Sequence, residues 1–212
     1  MSYPPFTLDQ EPYWQIVPTF SSPISTCNID FNITKQLYDF KDTVEWLEDI
    51  EDDGCLGAVT KDKNILSKLP DVEKHLRDKC LSYVIDTMKY PCDIQFTSSW
   101  FTRTYEGGRC ERHSHTNSWL SGIVYFGAYD NDSAPLVFYN PNHITINVEP
   151  FDYNYFNSLS WELRPRTNMM VLFPSSLQHQ VLIHKTDIKR YSLAFNIMPK
   201  GSVGHDDSNF EY

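Results

Sequence analysis

The sequence predicts a mainly β protein with flanking α-helices, built as an antiparallel sandwich or barrel whose helices cover one face. Three observations carry that expectation. Up to about residue 90 apolar residues recur at helical spacing, whereas after Pro91 the pattern changes to short alternating or apolar runs broken by Gly, Pro, Asn and Asp. Helices first and many strands afterwards suit a double layer of β-sheet backed by helices. Hydrophobic and aromatic fractions of 41% and 15% show that the chain can bury a core rather than stay disordered. Its 212 residues suit one domain, 1–212. Within it we expect an arm and supporting helices over 1–90, the β core over 91–200 and a tail over 201–212.

Residues 1–30, rich in Pro, Ser and Tyr, look like an arm laid along the domain, with one short extended candidate at "WQIVPTF". From Asn32 towards Gly54 the residues Leu37, Phe40, Val44, Leu47 and Ile50 are three or four apart, which predicts one long helix ended by "DDG". A loop should lead to a second helix in "LPDVEKHLRDKCLSYVIDTMKY". There Pro70 suits a first turn, and Val72, Leu76, Cys80, Tyr83 or Val84, and Met88 form the buried stripe. His75 lies beside that stripe and reads as a helix-surface histidine. The expected strands are "IQFTSSWFTRTY", "WLSGIVYFGAY", "PLVFYNP", "ITINVEP", "WELRP", "MMVLFP", "QVLIH" and "RYSLAFNIMP".

A formal charge of −10 repels phosphate backbones, so nucleic acid is a disfavoured partner. The densest basic stretch, Arg103, Arg109 and Arg112, leaves room for a local anionic ligand or for solvated arginines. Five cysteines with no CxxC pair are the usage of a reducing compartment. With no signal-like start and no apolar run near the roughly 18 residues of a membrane span, the expectation is a soluble cytoplasmic protein without a membrane partner.

The chemistry lies in "ERHSHTNSWLSG", residues 111–122. In an extended chain residues i and i+2 share a side, so His113 and His115 can both reach one ion about 2 Å from each nitrogen, while Ser114 points away. A third ligand must come from elsewhere. His143 sits in an Asn/Pro loop and His205 in a polar tail, but His179 follows a strand stopped by Pro174 and a short turn. His184, five positions on, should face the other side of that strand, towards the surface. The readings are a triad of His113, His115 and His179, or polar histidines on the wet face of a sheet. In "KRYSLAFNI" alternation puts Arg190, Ser192, Ala194 and Asn196 on one face and Tyr191, Leu193, Phe195 and Ile197 on the other. The second face belongs against the helices. The first suits a pocket that grips a carboxylate, through the arginine fork and a serine hydroxyl, or an edge strand open to water.

A histidine followed eleven positions later by Arg-x-Ser, both downstream of His-x-His, resembles the Fe(II)/2-oxoglutarate-dependent oxygenases. More narrowly, "SSWFTRTYEGGRCERHSHTNSWLSGIVYF", "LVFYNP", "VLFPSSLQHQV" and "RYSLAFNIMPKGSVG" look like the 2-oxoglutarate oxygenases of marine phages and bacteria, over residues 94–204. That resemblance implies a double-stranded β-helix (jelly-roll) core, with Fe(II) held by His113, His115 and His179 between the sheets. It also implies 2-oxoglutarate as cosubstrate, its distal carboxylate on Arg190 and Ser192 with a hydrogen bond from Tyr125, and O2 as oxidant. The activity implied is hydroxylation of a peptidyl or small-molecule substrate with succinate and CO2 as coproducts. A phage-encoded enzyme would act in the host cytoplasm. The wider superfamily prefers a carboxylate where His115 stands, so either all three histidines bind the metal or one of the pair sits behind it. Trp100, Tyr105, Trp119 and Trp161 are candidates to line the substrate mouth or to pack. Two rivals stand beside this reading: a cupin-like three-histidine metalloenzyme that uses no 2-oxoglutarate, and a non-catalytic jelly-roll structural or binding protein.

Overall fold

Strand β1 (Ser25–Asn28) is followed by helix α1 (Phe31–Phe40), whose first turn forms as the Asp30 carbonyl accepts the Ile33 and Thr34 amides. Ile33, Thr34 and Leu37 are its buried face. The computed structural model describes residues 22–50, 56–142, 148–154 and 156–211; the "WQIVPTF" candidate, "DDG", Cys55 and His143 lie outside them.

The helix expected to run towards Gly54 stops at Phe40. A turn closed by the Thr43 amide on the Phe40 carbonyl leads instead to β2 (Trp46–Ile50), which pairs antiparallel with β3 (Leu56–Thr60), where a loop was expected. Spacing misleads here because Val44, Leu47 and Ile50 fit a helical period while the residue that finds the core is Trp46. Its ring stacks on Phe101 at 6.3 Å, whereas Leu47, inward in a helix, is 46% exposed. An aromatic strand with one buried side outcompetes helix continuation when it can join a sheet. Helix α2 (Pro70–Ser82) is where the sequence puts it, extended by a wide turn over Tyr83–Thr87, and Val72, Leu76, Cys80 and Val84 are fully buried along one stripe.

The remaining strands are β4 (Asp93–Thr104), β5 (Cys110–His113), β6 (Leu120–Tyr125), β7 (Leu136–Tyr139), β8 (Ser160–Leu163), β9 (Met169–Pro174), β10 (His179–Val181) and β11 (Arg190–Lys200). They form two antiparallel sheets, a larger one in the order β1-β9-β6-β11-β4-β3-β2 and a smaller one in the order β5-β10-β7-β8. This is a jelly-roll with helices on the outer face of the larger sheet. The "ITINVEP" run yields no strand over 148–150, and its residues 144–147 lie outside the described ones.

Alternation along β11 divides the molecule. Leu193, Phe195 and Ile197 join Leu37, Leu76 and Ile94 in the core beneath the helices, while Tyr125, Leu136, Phe138, Val171 and Phe173 fill the space between the sheets. Gly122 on β6 lies opposite Phe195, and a Cβ there would run into that ring. Arg190, Ser192 and Ala194 therefore point between the sheets, where one end is left open as a cavity. Among the described residues no helix is long and apolar enough to cross a membrane, and Cys27, Cys80 and Cys92 carry free thiols.

Candidate metal centre

Pairing of β10 with β5 sets His179 directly opposite His113. Past the end of β5 the His115 amide donates to the Ser175 carbonyl at 2.9 Å, which carries the chain across to the larger sheet and turns the His115 ring back towards the other two. The three ring centroids are 4.4 to 5.2 Å apart, and one ligand atom from each histidine lies within 4.8 Å of the others.

The donor set fits a metal for a reason independent of that proximity. Each Nδ1 faces an oxygen that can only accept: the Glu111 carbonyl at 2.7 Å for His113, the Asn196 Oδ1 at 2.6 Å for His115, and the Leu177 carbonyl at 2.9 Å for His179. In a neutral imidazole the proton then sits on Nδ1, leaving each Nε2 lone pair free for an ion. Burial favours the neutral form of two of the rings. It drops the His179 pKa to about 4 and also lowers that of His115, against the opposing pull of the Asn196 contact. Phe173 and Phe138 pack on His179 with ring centroids at 4.8 and 6.1 Å, shutting water away from that side.

The same cavity, of about 420 Å³, is lined by the triad and by Arg190, Ser192 and Trp100. Arg190 is only 2% exposed, and no carboxylate pairs with it among the described residues. Its Nε donates to the Ala134 carbonyl at 3.2 Å and its Nη2 to the Tyr125 hydroxyl at 3.1 Å. Three of the five guanidinium N–H bonds remain for a ligand. A buried cation without an anion is costly, so the arrangement asks for one. Tyr125 is fully buried, and burial raises its pKa, so the phenol keeps a proton to donate. Ser192 Oγ is 2.7 Å from Thr102 Oγ1.

The other candidates disperse. Arg103 pairs with Glu48 and lies over the Trp46 ring, Arg109 pairs with Glu111 at the cavity rim, and Arg112 donates to Gln178 and covers Tyr139. Trp100 lines the cavity with its ring 5.9 Å from that of His115. Tyr105 instead bonds Glu48, Trp119 packs against Tyr90, and Trp161 is 41% exposed on β8. His205 is exposed, and His75 is half-buried with Nδ1 3.8 Å from Asp30. His184 corrects an expectation: it is fully buried, not on the surface, because β10 ends at Val181 and strand alternation does not continue to residue 184.

Sequence reasoning missed the supports. Asn196 holds His115, and Ser121 Oγ lies 3.0 Å from the same Nδ1 and donates to Asn196 Oδ1 at 2.8 Å. Strand parity marked Asn196 as facing the cavity, but its partner is 81 residues away.

Residues 98–196, from β4 to β11, match the family model described as "Putative 2OG-Fe(II) oxygenase". Over that stretch the chain is similar to the 2OG-Fe(II) oxygenases. The matched stretch includes all three histidines, Tyr125, Arg190, Ser192 and Asn196. Several solved structures share the fold at low identity. The epimerase SnoN from nogalamycin biosynthesis aligns with a TM-score of 0.63 and 10% identity, covering 87% of this chain and 82% of its own. HygX from Streptomyces hygroscopicus, solved with nickel and 2-oxoglutarate bound, gives 0.59 and 10% over 84% and 83%. A prolyl-4-hydroxylase from Pseudomonas putida gives 0.57 and 12% over 83% and 93%. No curated protein sequence matches the chain significantly.

Proposed function

We propose that this protein is an Fe(II)- and 2-oxoglutarate-dependent dioxygenase that hydroxylates a small-molecule or peptidyl substrate. His113, His115 and His179 would hold iron; Arg190, Tyr125 and Ser192 would hold the distal carboxylate of 2-oxoglutarate. One observation carries the reading: a buried, anion-free Arg190 and three Nδ1-protonated histidines line one cavity. HygX, which shares the fold, was solved with 2-oxoglutarate and a divalent metal.

Iron, when bound, supplies reductive activation of O2, coupled to decarboxylation of 2-oxoglutarate to succinate and CO2; one oxygen atom goes to succinate and the other to the substrate. The chain's own residues prepare that chemistry. Arg190 offers a charged fork and Tyr125 a phenolic donor, which together fix the length and direction in which a dicarboxylate can lie. His115 and His179, favoured in the neutral form by burial, leave lone pairs available without first losing a proton. Phe173 and Leu136 are buried in the inner wall, with Phe138 packed against Phe173, and exclude water from it. Trp100 beside His115 gives the open side a flat apolar shelf for substrate.

The all-histidine donor set also suits a cupin-like enzyme that uses no 2-oxoglutarate, but such an enzyme has no use for an unpaired Arg190. Anaerobic titration of the Fe(II) protein with 2-oxoglutarate separates the two. We expect a weak visible charge-transfer band that saturates with cosubstrate, followed by substrate-stimulated succinate formation in air. Iron binding without a band would favour the cupin-like reading, and no iron binding would leave a jelly-roll binding protein.

A further inference from the structure

His184 is fully buried and outside the triad, and both of its ring nitrogens are engaged. Nδ1 accepts the Ala134 amide at 3.1 Å, and Nε2 lies 2.6 Å from the Ile188 carbonyl, which can only accept. The ring is therefore the Nε2–H tautomer, the opposite of the three histidines of the metal centre. Its Nε2 stays behind the wall and offers no lone pair to the cavity.

We propose that His184 is the positioning residue for Arg190, and through it for the cosubstrate carboxylate. The backbone of Ala134 is the link. Its N–H is fixed by His184 Nδ1, and its carbonyl is the acceptor that Arg190 Nε uses at 3.2 Å. Both contacts fall on one residue, so holding the Ala134 N–H restrains the backbone rotation that would swing its carbonyl away from Arg190. The second contact acts on the same residue from the other direction. Ile188 lies two positions before Arg190, so holding its carbonyl sets where β11 begins and where the guanidinium starts its path inward.

The backbone of His184 completes the clamp. Its carbonyl accepts the Gly107 amide at 2.7 Å and its amide donates to the Gly108 carbonyl at 2.8 Å. Gly107 has φ +81°, and a Cβ on Gly108 would collide with the Leu56 carbonyl, so this turn needs both glycines to come so close. One histidine thus joins the turn before β5, the segment before β7 and the approach to β11. Each segment runs on into the cavity wall, at Arg109 and Cys110, at Leu136 and at Arg190. A bystander histidine would satisfy its nitrogens locally; this one satisfies them on the residue whose carbonyl holds Arg190 and on the chain that leads into it.

The inference rests on the reading of Arg190 as carboxylate anchor, and the test keeps the two apart by following Arg190 as well as 2-oxoglutarate. Three variants separate the contacts. His184→Asn can place an amide oxygen near Nδ1 and keep Ala134, His184→Gln can reach Ile188 but not Ala134, and His184→Leu keeps neither. In each full-length protein, iron content, 2-oxoglutarate affinity by anaerobic titration, and hydrogen exchange at the Arg190 Nε–H are measured, with that resonance assigned from its loss in Arg190→Lys. We expect iron content unchanged in all three. His184→Leu and His184→Gln should weaken 2-oxoglutarate binding about three- to tenfold, as for loss of one oriented neutral hydrogen bond, and should speed Arg190 exchange. His184→Asn should stay near the parent in both. Unchanged affinity and exchange in His184→Leu would overturn the proposal, as would His184→Gln matching His184→Asn. If the parent protein binds no 2-oxoglutarate, the anchor reading falls, and Arg190 exchange alone decides whether His184 positions it.

Discussion

Asn196 Oδ1 accepts the Nδ1 proton of His115 at 2.6 Å, and its own Nδ2 donates to Ser98 Oγ at 3.0 Å, so the amide cannot flip without losing both contacts. A β11 residue thereby fixes the tautomer of His115. Removing such a support from a metal-ligating histidine costs about 10- to 100-fold in metal affinity. Asn196→Ala should weaken Fe(II) binding by that amount in anaerobic competition with a chromophoric chelator. Asn196→Asp, which keeps an acceptor, should hold iron at least as well as the parent. Equal affinity in Asn196→Ala would remove His115 from the ligand set and leave it behind the metal.

Arg190→Leu should leave iron content intact and raise the 2-oxoglutarate dissociation constant at least about tenfold, because a charge-assisted hydrogen bond contributes roughly 1.5 to 3 kcal/mol. Arg190→Lys keeps a charge but loses the fork that reaches Ala134 and Tyr125 together, so it should fall between parent and Leu. Titration of both variants, with iron measured in the same samples, checks this. Parent-like binding by Arg190→Leu would move the anchor elsewhere, and Arg109 at the rim would be the next residue to change.

These two predictions rest on residues whose facing was legible in the sequence. β11 is long and central, flanked by β4 and β6, so its alternation survives folding unchanged and puts Arg190, Ser192 and Asn196 on one side. α2 was legible because its stripe is long and Pro70 marks its start. The failures have a common physical cause, a periodic pattern carried past the point where the element stops. Helical spacing ran through the turn after Phe40 into β2, and strand parity ran through the end of β10 to His184. What no single stretch contains is a partner distant in the chain. Asn196 meets His115, and Trp119 meets Tyr90 rather than the cavity, because of sheet order that only the folded chain reveals.

Gly122 tests the outer core. Gly122→Ala drives a methyl into the Phe195 ring between two central strands, and such overpacking costs about 1 to 3 kcal/mol. Urea unfolding of the metal-free protein should show the loss. Phe195→Leu removes the obstructing ring edge, so the double variant should be destabilised by less than the sum of the two single ones. Additive losses would mean that the backbone, not the ring, makes room.

Acid should destabilise the metal-free protein through His179. Its pKa is about 4 in the folded chain, against the ordinary histidine value of about 6.5 when unfolded. Between those values the unfolded state binds the proton and the folded state does not, so protonation favours unfolding. The neutral-state contribution is complete above about pH 6.5 and is lost as pH falls towards 4, where the loss reaches about 3 kcal/mol. His115, also depressed by burial, acts in the same direction. His179→Leu removes the group while keeping an apolar side chain against Phe138 and Phe173, so its stability should fall less steeply over the same window. The measurement is urea unfolding of both proteins at intervals from pH 7 to pH 4. Parallel stability curves would show that His179 is not what acid attacks, whereas a gap that opens below pH 6.5 would locate the proton on a ring whose neutrality the proposed metal centre requires.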